Sequence, residues 1–134
     1  MQHYTTIEQS KKLVELGLNP NTADMCYIQH FDESYNEVTF IEEDPVLAYT
    51  IDTIDLPCWS LGALINLIPS IIYKGKDTFS LEMHKDALYL GCYENHRHLN
   101  EIWITKKNLI DAAFEMIVWL LENGHINEEN KNGL

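Results

Sequence analysis

The stretch Asp55 to Pro69, DLPCWSLGALINLIP, sets a thiol, an indole and a hydroxyl side by side at Cys58, Trp59 and Ser60, just ahead of an apolar run with helical spacing. A cysteine at the head of a helix has a chemical use. Unpaired N-terminal amides and a nearby imidazolium both lower a thiol pKa and supply the thiolate that acts as nucleophile. Histidines lie downstream at 84, 96, 98 and 125, and a small cysteine-dependent enzyme would pair Cys58 with one of them, His96 being the candidate. The competing expectation is a packed thiol, because unpaired cysteine is among the most often buried residue types.

The Cys58-Trp59 pair resembles the start of the central helix in papain-like proteases, and the resemblance covers those two residues. Asp52 stands six residues before Cys58, where that family carries glutamine, and Asp55 adds a charge that opposes a thiolate. A second constellation is Cys92, His96 and His98, three ligands within seven residues at the end of an alternating run. Metal binding would need a fourth group or an open position, and nothing in the spacing requires it. An exposed NHRH turn is expected instead, with no metal and no cofactor.

Carboxylates offer a third kind of chemistry. No lysine or arginine occurs between Lys12 and Lys74, while that interval holds ten acids: Glu15, Asp24, Asp32, Glu33, Glu37, Glu42, Glu43, Asp44, Asp52 and Asp55. The rest of the chain holds eleven acids and nine basic residues, so it supplies only −2 of the net charge of −12. DESYNEVTFIEEDP lacks the ligand spacing and central glycine of a calcium loop. A solvated acidic loop is one expectation. The sharper one is a docking surface for a basic protein, built on Glu37, Glu42, Glu43 and Asp44 with Tyr27, Phe31, Tyr35, Phe40 and Tyr49 interleaved. The same charge argues against direct nucleic-acid binding, which works by neutralising phosphates. Phosphate loops, GxSxG and HExxH are missing from the sequence, so the common nucleotide, hydrolase and zinc-protease templates find no support.

The elements that must position these groups follow from periodicity. Thr5 and Glu8 have capping-box spacing, Ile7, Leu13, Val14 and Leu16 give an apolar side, and Gly17 can close the turn, so a helix is expected over 5–17. NPNTADM reads as a turn with room for a second short helical turn. The stretch from Cys26 to Thr50 is less regular, with a candidate strand in VTFIEEDP. Leu61, Leu64, Ile65 and Ile68 predict a helix over about 60–68, capped by Ser60 or by Asp55 with Pro57 in its first turn. From Thr78 the period becomes two in TFSLEMHK, ALYLGCYE and NEIWIT, which predicts a three-stranded antiparallel meander. A long helix follows, with Asn108 as N-cap, Asp111 three residues later and Gly124 at its end. Ile110, Ala113, Phe114, Ile117 and Leu121 are its expected inner stripe, with Asp111, Glu115 and Glu122 opposite. Trp59, Trp103 and Trp119 are candidates for one aromatic core.

These elements make an α+β fold: N-terminal helix, short central helix, meander, and a long C-terminal helix packed on the sheet. The chain of 134 residues fits one domain over 1–126, and 127–134 is expected as a disordered tail. Its first residues lack a secretory signal and no apolar run reaches membrane length, so a cytoplasmic protein away from membranes is expected. Three cysteines without a CxxC pair indicate reduced thiols.

The blocks YTTIEQSKKLVELGLNPNTADM, LPCWSLGALINLIP and DAAFEMIVWLLENG together resemble a family of small proteins found in prophage-like and mobile-element regions of gut bacterial genomes. That family has no assigned activity, so the resemblance implies a genomic setting and an accessory role toward a host protein. The leading expectation is a non-enzymatic acidic protein-binding module, and the alternative is the thiol enzyme.

Overall fold

The computed structural model describes residues 3–29, 35–41, 56–69, 71–74, 77–83, 87–94, 97–105 and 108–131. Helix α1 spans Ile7–Glu15, α2 spans Leu61–Leu67 and α3 spans Leu109–Glu122. Strands β1 (Met25–Gln29), β2 (Tyr35–Phe40) and β3 (Leu56–Cys58) form one sheet, in the order β2-β1-β3. Strands β4 (Ile71–Lys74), β5 (Asp77–Met83), β6 (Ala87–Glu94) and β7 (Arg97–Thr105) form the other, an antiparallel meander in chain order. The fold is α+β, as the periodicities require.

Two features exceed those expectations. The meander has a fourth strand, because Ile71–Lys74 pairs with Asp77–Ser80. The irregular stretch also contributes a sheet, in which Met25 lies opposite both Phe40 and Cys58. Single short strands carry little period-two signal, and β3 pairs with a strand about thirty positions earlier in the chain.

Helix starts are set by side-chain caps. Ser60 accepts from the Ala63 amide at 3.2 Å, which selects Ser60 as the cap of α2 and leaves Pro57 in β3. Asn108 accepts from the Asp111 amide at 2.9 Å. In α1 the capping box is displaced by one residue, to Thr6 and Gln9: Thr6 Oγ1 accepts from the Gln9 amide at 3.1 Å, and Gln9 Oε1 accepts from the Thr6 amide at 2.9 Å. Thr5 is drawn inward instead, for reasons given below. Gly17 and Gly124, at φ 94° and 73°, follow α1 and α3 in the left-handed region where glycine is preferred.

The main core joins α1, α2 and α3 through Leu13, Leu18, Trp59, Leu64, Ile110, Met116, Ile117 and Leu120, all fully or almost fully buried. The backbone of α3 runs against β6 and β7, as well as α2. Its buried stripe is Ile110, Ala112, Ala113, Met116, Ile117 and Leu120, turned from the expected one so that Phe114 and Leu121 are only partly buried. A helix packed on both a sheet and another helix buries more than one narrow stripe.

Trp59 is buried in this core, whereas the partly buried Trp119 stacks on His125, with ring centroids 5.5 Å apart. The side chain of Trp103 lies outside the described residues. A tail is expected over 127–134; beyond Gly124 the chain instead folds back as far as Lys131, and 132–134 lie outside the described residues. Ile126 is buried, Glu128–Asn130 form a short 3-10 turn, and the Asn130 carbonyl accepts from the Asn19 amide at 2.9 Å. No helix among the described residues is long and apolar enough to cross a membrane.

Candidate functional site

Cys58 ends β3 and is fully buried, three residues before α2 begins at Leu61. Its surroundings are built around Thr5. The Thr5 amide donates to the Trp59 carbonyl at 2.9 Å, fixing the N-terminal segment beside β3. The Thr5 carbonyl accepts from the Tyr27 hydroxyl at 2.7 Å and from the Cys58 thiol at 3.5 Å. The Thr5 hydroxyl accepts from the Trp59 amide at 3.1 Å, shares a hydrogen with Ser10 Oγ at 2.8 Å and reaches Cys58 Sγ at 3.7 Å. One threonine thereby uses its amide, carbonyl and hydroxyl to hold α1, β1 and β3 together. Burial of Thr5 and Ser10 is tolerable because their hydroxyls are satisfied.

This environment keeps the thiol neutral. Loss of solvent pushes the Cys58 pKa up to about 11, a rise that hydrogen bonding from Thr5 offsets only in part. Burial likewise raises the Tyr27 phenol. A nucleophile needs the reverse shift and access to substrate. His96, its histidine partner in the enzyme reading, lies outside the described residues.

Cys26 is also buried, but it pairs with Pro57, one register step from the Met25–Cys58 pair. Successive strand residues face opposite sides, so Cys26 and Cys58 lie on opposite faces of the sheet. Asp24 anchors Ser60, the cap of α2: its carboxylate accepts from the Ser60 amide at 2.9 Å and from the Ser60 hydroxyl. One of the ten regional acids is thus a structural fastener.

Of the metal candidates, Cys92 pairs with Leu99 on β7 and His98 with Tyr93 on β6, so they are not cross-strand partners. Among the described residues, no group of three histidine, cysteine or carboxylate side chains is placed to hold a metal ion.

The acidic candidates fall on and beyond β2. Glu37 is exposed on that strand, opposite Ile28, while Glu42, Glu43 and Asp44 lie outside the described residues. Sequence reasoning marked Phe40 only as one aromatic among several. Phe40 is 63% exposed and Ile41 36%, the exposed large hydrophobic residues among those whose side-chain burial is described. Val38 and Tyr27, by contrast, pack in a small second core with Met25, Cys58, Tyr4, Ile7 and Leu56.

The register explains the contrast. Phe40 pairs with buried Met25 and shares the face of Val38, so the apolar row of this small core runs out to the rim at Phe40. Thr5, Ser10 and Tyr27 were missed as a group because no sequence spacing links them. Comparison of the chain with protein-family models, with curated proteins and with solved structures finds no match.

Proposed function

We propose that this chain is a non-enzymatic protein-binding module that docks its acidic segment against a basic partner protein. The observation that carries this reading is the pairing of exposed Phe40 and Ile41 with Glu37 before them and Glu42-Glu43-Asp44 directly after them. Apolar anchors ringed by charge are a common interface arrangement, the anchors giving affinity and the charges steering approach and selecting partners. The resemblance to mobile-element proteins extends the proposal: the partner is a host protein that a phage or mobile element modulates. The thiol-enzyme reading has the burial and raised pKa of Cys58 against it.

Affinity capture with the tagged protein, at low and high salt, tests the reading. It expects a specific basic partner at low salt that is lost at high salt. Recovery must also fall when Glu37, Glu42, Glu43 and Asp44 are replaced by their amides. A complex indifferent to those four substitutions would remove the acidic surface from the argument.

A further inference from the structure

We propose that the partner binds as an extended basic segment added alongside β2, with an apolar side chain seated on Phe40. This rests on the acidic-docking reading and specifies its geometry. Within the described residues, β2 is an end strand of its sheet and meets only β1. The Ile41 amide donates to the Asp24 carbonyl at 2.9 Å, so position 41 points its backbone groups toward β1. Antiparallel ladders alternate, and Thr39, opposite Cys26, therefore does the same. Val38 and Phe40, opposite Tyr27 and Met25, then turn their amides and carbonyls away from β1. These outward groups are what an added strand uses.

Charge and apolar pattern define what can be added. The strand lies inside the interval without lysine or arginine, with Glu37 exposed on it and three acids just past its end. Neither β2 nor its neighbours in sequence carry a lysine or arginine, so an incoming lysine-rich or arginine-rich segment meets no like charge from them, whereas an acidic one is repelled. On the face that carries Val38 and Phe40, the small core is closed over Met25 and Cys58 but leaves Phe40 open. A residue on the added strand that covers Phe40 extends that core by one cross-strand pair.

The test uses the full chain and a short synthetic peptide alternating lysine with valine, followed by amide-resolved hydrogen exchange and titration. The expected result is slowed exchange at the Val38 and Phe40 amides, with little change at Thr39, which already faces β1. Replacing alternate peptide amides by N-methyl groups keeps the charge and removes strand hydrogen bonds, and should weaken binding by at least about tenfold. Phe40→Ser should weaken it by a similar factor.

Equal binding of the methylated peptide, still sensitive to salt and to the Glu42, Glu43 and Asp44 amides, overturns strand addition while leaving acidic docking in place. Binding that ignores both salt and those substitutions overturns both. Absence of binding by either peptide at low salt overturns the added-strand geometry.

Discussion

The two cores solve the same problem by different means. The helical core is large and apolar, and its buried members include Trp59, Leu64, Met116, Ile117 and Leu120. The core beneath β1 and β3 is small, with Met25, Tyr27 and Cys58 buried, and it depends on the fully used polar groups of Thr5. Among the described residues, only the small core has an apolar row that ends in an exposed aromatic side chain. The difference teaches that, among the described residues, the small sheet leaves at its rim an apolar side chain that the larger core would have covered, which is where the proposed partner strand would sit.

The comparison can be broken first at its strongest point. Trp59→Ala should cost about 3–5 kcal/mol, since it empties a fully buried site. It also removes the indole bond to Thr22 Oγ1 at 2.9 Å. Denaturant unfolding measures this, and a cost below about 1 kcal/mol would deny the helical core its central place.

Thr5→Val keeps the shape but strands the buried Trp59 amide, and should cost about 1–3 kcal/mol. A neutral result by the same unfolding measurement would show that the small core does not need its polar hub.

Proton linkage probes the small core more finely. The folded Cys58 pKa is raised, so the unfolded chain releases this proton first as pH rises. The Cys58 contribution is therefore full below the ordinary value of 9.0 and is lost progressively toward about 11. Stability should fall through that window with a slope from this group of up to about 1.4 kcal/mol per pH unit. Unfolding midpoints of the parent and Cys58→Ala against pH check it, since the variant should lose part of the slope. Tyr27, also raised by burial, supplies decline of the same sign at still higher pH. Native-state alkylation of Cys58 should likewise proceed only as fast as the protein opens.

The smallest effect is the most discriminating for function. Phe40→Ser should change folding stability by no more than about 0.5 kcal/mol, because the ring is largely in solvent. A loss of several times that, measured by denaturant unfolding, would make Phe40 part of the core rather than a docking anchor.

Much of the fold was legible from local signals. Capping residues Ser60 and Asn108, the glycines after α1 and α3, and the alternating runs after Thr78 act within a few residues, so they can be read along the chain. The α1 cap shows where that reading fails. Thr5 and Thr6 are adjacent hydroxyl residues, and the choice between them depends on Trp59 and Cys58, more than fifty positions away. The candidate site divides in the same way: acidity and aromatic content were visible, but the exposure of Phe40 beside the burial of Tyr27 was not.

The sequence by itself determined the α+β class, the regional charge, and the presence of an isolated cysteine beside tryptophan, because composition and short-range periodicity carry that information. Tertiary structure alone decided that Cys58 is sealed among Thr5, Tyr27 and Met25, that Asp24 fastens Ser60, and that the β1 sheet leaves Phe40 at its rim. Each of these depends on pairing between segments distant in sequence, and burial is a property of the partners a residue meets, which its neighbours along the chain do not specify.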